Sequence, residues 1–170
     1  MIRNYILAFA QLIVFGSANT NLQTQFCPFS NENINYVVFG YFCGECDRRC
    51  ATMYLFKLGG NENTYFMDTS DSYFKNKGNV VCSIEIVDAK NYELGKNISN
   101  QIPSELLTCP SKSEKYGCPD CNDECGIYFE MMQDNEVKRF YFDTDISKYD
   151  ADLKIFVILL ANTISKLAKK

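Results

Sequence analysis

The residues of this 170-residue chain whose type and spacing point most directly to chemistry are its nine cysteines. Six of them form two copies of one pattern, C-x2-C-x3-C: Cys43, Cys46, Cys50, Cys118, Cys121 and Cys125. Of the others, Cys27 precedes the first copy, Cys109 precedes the second, and Cys82 lies between the two. Cysteines at this density support three chemistries, which are disulfide bonding, zinc ligation and thiol–disulfide exchange.

Disulfide bonding is the interpretation we favour, because the chain begins with the pattern of a secretory signal. Residues 1–18 combine a positive charge at Arg3, an apolar stretch over residues 5–15, and small residues before a cleavage point after Ala18. We therefore expect a secreted chain that begins at Asn19, carries an N-glycan at the Asn97 sequon and has no transmembrane segment once the signal is removed. Closely spaced cysteines of secreted proteins usually pair.

An odd number of cysteines requires an unpaired thiol within the chain. The two groups of four predict two bridges within each group, none between the groups, and Cys82 left over; the groups are Cys27, Cys43, Cys46, Cys50 and Cys109, Cys118, Cys121, Cys125. Cys82 shares the apolar side of a predicted strand with Val80 and Ile84, so we expect a buried free thiol there. The alternative is a homodimer linked through an exposed Cys82. The pairing within each group stays open, because four cysteines allow three connectivities.

The two C-x-x-C pairs also leave room for other chemistry. Cys43 with Cys46 and Cys118 with Cys121 have the spacing of zinc knuckles, and four thiolates are enough for a tetrahedral site. A redox-active pair usually needs a thiol pKa lowered at a helix N-terminus, whereas both motifs here precede predicted strands. Disulfide bonding therefore stays the favoured interpretation, and a zinc-binding or thiol-redox protein of the secretory pathway is the alternative function.

The remaining composition narrows the function classes. The chain has no His and no Trp, and its formal net charge is −4. The lack of His excludes Ser–His–Asp triads, Cys–His pairs and His-ligated metals, and the charge argues against a nucleic-acid partner. Asp68 and Asp143 are the acids at equivalent places of the two halves, and we expect each to close a strand through a side-chain turn. The predicted function is that of a secreted binding protein without catalytic activity or a cofactor, as a surface, matrix, host-directed or venom-like component. Its expected partner is another protein or a surface component.

An internal repeat would position the two cysteine patterns. Shifting the chain by 75 residues superposes the three cysteines of one pattern on those of the other, and Asp68-Thr69 on Asp143-Thr144. Each unit, about 27–89 and 109–149, predicts a β-hairpin stapled at its base, with strands at 51–58 and 64–69 and at 126–133 and 137–144. Further strands are predicted at 34–41 and 79–87. The polar segment 90–113 is predicted to be a connection with a short helix near Glu105.

The C-terminal segment, about residues 150–168, predicts one amphipathic helix capped by Ser147 or Asp150. Its apolar positions recur at helical spacing: Leu153, Phe156, Val157, Leu160, Ile164, Leu167 and Ala168. We expect this helix to pack on the sheet; a partner-binding or membrane-surface helix is the alternative, because Ile155, Ile158 and Leu159 widen the apolar face. The predicted fold is a single cysteine-rich domain over residues 19–170, β-rich and of the α+β class. In it, two repeated, disulfide-stapled hairpin units form a sheet or sandwich with this helix.

Overall fold

The structure is a computed structural model, and it describes residues 25–26, 35–44, 50–59, 64–75, 81–82, 84–119, 121, 125–133 and 135–169. Its elements, in chain order, are β1 Gln25–Phe26, β2 Asn35–Cys43, β3 Ala51–Leu58, β4 Thr64–Asp68, α1 Ser72–Lys75, β5 Val81–Cys82, β6 Ile84–Val87, α2 Ala89–Ser99, α3 Ser104–Thr108, β7 Ser113–Tyr116, β8 Cys125–Gln133, β9 Glu136–Phe142 and α4 Ala151–Leu167. The predictions made for residues 1–18, Cys27, Cys46 and the side chain of Cys82 lie outside the described residues.

Seven strands form one mixed sheet in the order β6-β4-β3-β2-β8-β9-β7. Among the described residues, the seven strands of this sheet pair antiparallel except for β7 and β9, which are parallel. The predicted strand at 79–87 is divided, because β5 pairs with β1 while β6 joins the edge of the large sheet beside β4. The expected β-rich α+β fold with a C-terminal helix and disulfides is confirmed.

The central strand β2 connects the two halves of the sheet. It lies antiparallel to β3 on one side and antiparallel to β8 on the other, over nearly its whole length. The strand that the 75-residue shift sets against it, β7, instead lies parallel to β9. The two strands that lead into the hairpins are therefore placed differently in the sheet.

Both faces of the sheet are buried, which explains why apolar residues occupy odd and even positions of β2, β3 and β8. One face packs against α2 and α4 through rings such as Phe39, Phe56 and Phe129. The other face forms a second cluster that includes Val38, and α1 covers it with Tyr73. Strands covered on both sides were the expectation from the sequence, and the burial pattern confirms it.

The C-terminal helix α4 is a core helix, as predicted. The side chain of Asp150 accepts the Leu153 N–H at 2.9 Å and caps the helix, whereas Ser147 lies in a preceding 3-10 turn, Ile146–Lys148. Phe156 packs edge-on against Phe129 of β8, with the ring centroids 5.1 Å apart. The outer side of α4 keeps Ile155 63% exposed.

The segment predicted as a polar connection, 90–113, instead contains the 11-residue helix α2 in addition to the expected short helix, α3. Asp88 caps α2 by accepting the Asn91 N–H at 3.0 Å. The helix packs closely on β3 at Gly95, where a Cβ would lie 2.2 Å from the Phe56 ring. Within the described residues, no helix is both long enough and apolar enough to cross a bilayer.

Candidate functional site

A disulfide between Cys43 and Cys125 closes one end of the sheet. Cys43 ends β2 and Cys125 begins β8, and the two residues stand directly opposite each other in the antiparallel register. The bridge spans 82 residues of sequence and joins the two predicted units. The prediction that no bridge links the units is therefore wrong, because β2 pairs with β8 and brings the first cysteine of one pattern against the last cysteine of the other.

A second disulfide closes the C-x-x-C loop after β7, between Cys118 and Cys121. Cys118 is exposed and Cys121 is half-buried, while Pro119 between them is buried. The loop packs against the start of β8, since a Cβ at Gly126 would lie 2.6 Å from the Pro119 carbonyl oxygen. Gly126 follows Cys125, so the two bridges are close neighbours.

Cys50 is also disulfide-bonded, and its carbonyl oxygen accepts the Cys43 N–H at 2.7 Å. Disulfide-bonded cysteines from both patterns therefore meet at one end of the sheet. We call this region the cysteine end and define it by Cys43, Cys50, Cys118, Cys121 and Cys125. The sequence predicted separate bridges for the two patterns, because local periodicity does not show which distant strands pair.

Cys109 differs from its predicted role as a bridge cysteine, because it carries a free thiol. It follows α3 and packs, half-buried, against the helix-covered core. Its surroundings also hold Tyr116, whose pKa rises to about 12 through burial, Glu105 and Cys109. Cys109 directly follows α3, so its place depends on where that helix packs, which the cysteine spacing did not predict.

Two buried aspartates form side-chain turns where β4 and β9 end. Asp68 accepts the Ser70 N–H at 2.8 Å, and Asp143 accepts the Asp145 N–H at 2.9 Å. These contacts confirm the turn predicted for both positions. Asp143 also accepts the Cys118 N–H at 2.9 Å, so the two backbone donors, from Asp145 and then from Cys118, hold the pKa of its carboxyl below the usual value.

The zinc alternative would use Cys43, Cys46, Cys118 and Cys121. In this structure the sulfurs of Cys43, Cys118 and Cys121 are bonded to other cysteines. Thiolates are required for zinc ligation, so both bridges would have to be reduced first. The described part of the chain contains no group of three side chains that could hold a metal ion.

The sequon residue Asn97 lies on the outer side of α2. Its side chain is exposed, whereas the next residue, Ile98, is fully buried in the helix-covered core. The Ser99 hydroxyl donates to the Lys96 carbonyl oxygen at 2.7 Å. The acceptor nitrogen of the predicted glycan is thus accessible from solvent in the folded chain.

A buried carboxylate that sequence reasoning missed lies on the second face of the sheet. The side chain of Glu130 is only 2% exposed, and it accepts hydrogen bonds from the hydroxyls of Tyr36, at 2.8 Å, and Tyr128. The Arg139 Nε atom donates to it at 2.8 Å from the neighbouring strand. The available signal was an acid inside the apolar run of β8, set against a base in the next strand.

The charge of this carboxylate adds to the effect of burial on the pKa of the tyrosines around it. Burial, followed by the charge of Glu130, raises the pKa of Tyr36, Tyr73 and Tyr128. The hydroxyls therefore stay protonated and continue to donate. Each carboxylate oxygen accepts a tyrosine hydroxyl, Oε1 from Tyr36 and Oε2 from Tyr128, so the carboxylate fixes the orientation of both rings.

An open groove of about 230 Å³ lies at the end of the sheet opposite the cysteine end. It is formed where β2 begins, where β3 and β8 end, and where the connection from α2 to α3 passes. Its lining residues are mainly apolar: Asn35, Tyr36, Val37, Leu58, Ser99, Ile102, Leu107, Met131 and Met132. We call it the apolar groove. Leu107 at its rim is 39% exposed, and the Lys138 ammonium donates to the Leu107 carbonyl oxygen at 2.6 Å.

Three comparisons with known proteins found no relative of this chain. No protein-family model, no curated protein and no solved structure matches the chain, so its site is interpreted from its own geometry.

Proposed function

We propose that this chain is a secreted, disulfide-stapled binding protein without catalytic activity, and that the apolar groove takes up apolar side chains of a partner protein. The observation that carries the proposal is an open, mostly apolar concavity with an exposed leucine at its rim. Binding sites are typically concave and apolar, with a few polar groups that orient the ligand.

The size of the groove favours a protein partner over a small molecule. Its volume of about 230 Å³ is below the range of roughly 300–1,000 Å³ typical of small-molecule pockets. One or two side chains would fill it. Met131 and Met132 are unbranched and polarisable, so they can adjust to different apolar side chains. Tyr36, held by Glu130, supplies a fixed wall.

Secretion is the second part of the proposal. Disulfides persist in oxidising compartments, which agrees with the signal-like residues 1–18. The exposed side chain of Asn97 supports glycosylation there. We also propose that the β3–β4 and β8–β9 hairpins are duplicated units, because Asp68 and Asp143 make the same turn where each hairpin ends.

The lack of Trp in the chain allows a direct binding test. Short peptides with one Trp among apolar residues can be titrated with the protein, and Trp emission reports their transfer out of water. Leu107→Asp places a charge at the rim of the groove, and it should weaken binding at least about tenfold. Leu107→Ala should weaken binding less, and this milder change keeps the test valid if the charged variant does not fold.

The matched control is Ile155→Asp, which adds the same charge at an exposed apolar residue of α4, away from the groove. We expect it to leave peptide affinity unchanged. Unchanged affinity in both Leu107 variants would refute the groove as the site. A loss of affinity confined to Ile155→Asp would move the binding surface to the outer side of α4.

A further inference from the structure

We propose that the Cys118–Cys121 disulfide is redox-active, and that it exchanges with the thiols of a partner protein through initial attack at Cys118. This inference concerns the cysteine end and goes beyond the binding function proposed for the opposite end of the sheet. The exchange is stoichiometric, with one partner dithiol oxidised per chain, so it adds no catalytic turnover to that function. It rests on the exposure, loop length and supports of this one bridge compared with its neighbour, Cys43–Cys125.

The two bridges differ in what they can contribute as staples. A disulfide stabilises mainly by restricting the unfolded chain, and the effect grows with the length of the loop that it closes. Cys43–Cys125 spans 82 residues, whereas Cys118–Cys121 spans three. The short bridge therefore restricts the unfolded chain least, and opening it removes little of what holds the fold together.

The C-x-x-C loop has supports that do not depend on its own disulfide. The Cys121 N–H donates to the Cys118 carbonyl oxygen at 3.1 Å, and the Cys118 N–H donates to Asp143 at 2.9 Å. Buried Pro119 packs against Gly126. These contacts can hold the two sulfurs near each other after reduction, which is what reversible exchange requires.

The two sulfurs also differ in access. The residue Cys118 is exposed to solvent, whereas Cys121 is half-buried. An incoming thiolate must approach the attacked sulfur in line with the bond that breaks, so the exposed cysteine is the one that it reaches. Asp143 accepts a hydrogen bond from the Cys118 backbone N–H, and this hydrogen bond does not involve the Cys118 sulfur.

The exchange transfers two electrons from a partner dithiol to the bridge. A partner thiolate attacks Sγ of Cys118, a new S–S bond forms, and the Cys118–Cys121 bond breaks with its electron pair leaving on Cys121. A second partner thiolate then attacks the partner sulfur of this mixed disulfide, and the electron pair leaves on Cys118. The partner dithiol loses two electrons and two protons to become a disulfide, and the two cysteines gain them as thiols.

Glutathione and two matched variants test the order of attack. Each of Cys121→Ser and Cys118→Ser breaks the same bridge and leaves one thiol, and Cys109→Ser in the background removes the other free thiol of the described residues. With oxidised glutathione, the Cys121→Ser protein should form its mixed disulfide at least about tenfold faster than the Cys118→Ser protein. Intact mass and peptide mapping give the rates and the site. Equal rates, or faster reaction at Cys121, would overturn the proposal.

A second measurement uses the wild-type chain and does not depend on the folding of any variant. Under native conditions, reduced glutathione should expose Cys118 and Cys121 to alkylation together, before Cys43 and Cys125. Far-UV circular dichroism should show that the sheet remains after this step. Alkylation that begins at Cys43 and Cys125, or that requires unfolding, would show that the short bridge is not an exchange site.

Discussion

Raising the pH should unfold this protein cooperatively, because it buries tyrosine hydroxyls beside a buried carboxylate. Tyr36, Tyr73 and Tyr128 are almost fully buried, and burial together with the charge of Glu130 raises the pKa of each. An ordinary tyrosine loses its proton near pH 10. These three can lose theirs in that range only after the chain unfolds.

The sign and the size of the effect follow from this difference. A group whose pKa is raised in the folded state contributes stability that is present below its unfolded pKa and is lost above it. Above about pH 10, each such tyrosine lowers the free energy of unfolding by about 1.4 kcal/mol per pH unit. Three tyrosines give about 4 kcal/mol per pH unit, so a typical stability of about 5–15 kcal/mol is lost within roughly one to four pH units.

Urea unfolding at a series of pH values measures this slope directly. Tyrosinate absorbance gives a second signal that is free of Trp absorbance, because the chain has none. Tyr36→Phe should lower stability at neutral pH by about 1–3 kcal/mol, because Glu130 loses a donor. It should also reduce the alkaline slope by about one proton, or about 1.4 kcal/mol per pH unit.

The control is Val38→Ala. Val38 is fully buried and lies directly opposite Glu130 in the register, but it has no titratable group. It should lower stability at every pH and leave the alkaline slope unchanged. Ionisation of all 11 tyrosines near pH 10 while the sheet remains folded, or an equal loss of slope in both variants, would refute this mechanism.

The remaining predictions concern the core, the long bridge and an acidic pair. Phe156→Ala should lower the free energy of unfolding by about 3–5 kcal/mol in urea, because Phe156 is buried against Phe129; a loss below about 1 kcal/mol would show that α4 adds little to the core. Replacing Cys43 and Cys125 together by Ala should cost about 4.5 kcal/mol in the chain-entropy model, measured by urea unfolding against the wild type under non-reducing conditions. The pKa of Glu105 is raised by burial and then by Asp150, so stability should fall as pH rises above about 4.5; Glu105→Gln should flatten that fall in the thermal midpoint. A pH profile that Glu105→Gln leaves unchanged would contradict this assignment.

The strands and the last helix were predictable because their patterns are long and local. The predicted segment 51–58 coincides with β3, and the helix predicted over 150–168 contains α4. β3 is buried along most of its length, and buried positions recur at helical spacing along α4, so both patterns are strong. The side-chain turns at Asp68 and Asp143 were predictable for a similar reason, since each depends on an acid and the backbone two residues later.

The helix α2 escaped prediction because its buried side carries few apolar residues. Asn91, Tyr92, Gly95 and Ile98 face the core, and two of these four lack an apolar side chain. Gly95 lowers helix propensity, yet the close approach of α2 to Phe56 requires a residue without a Cβ. Tertiary packing therefore outweighs the local signal in this segment.

The cross-unit bridge and the Glu130 cluster depend on pairings between distant parts of the chain. Cys43 meets Cys125, and Tyr36 reaches Glu130, only because β2 lies between β3 and β8. In a hairpin, the short turn between two strands predicts that they pair, whereas β2 and β8 are separated by most of the domain. Sequence periodicity identifies which residues are buried, and it does not identify which strand lies beside which.

The strand β2 joins the two proposed sites, and its placement gives a physical reason for their separation. It runs from Asn35 at the apolar groove to Cys43 at the cysteine end. An open apolar concavity leaves apolar surface in water and forgoes stability that burial would supply. The bridge of Cys43 with Cys125 stabilises by restricting the unfolded chain, which requires no burial at the groove. Closing the sheet covalently at one end therefore lets the groove at the other end remain open.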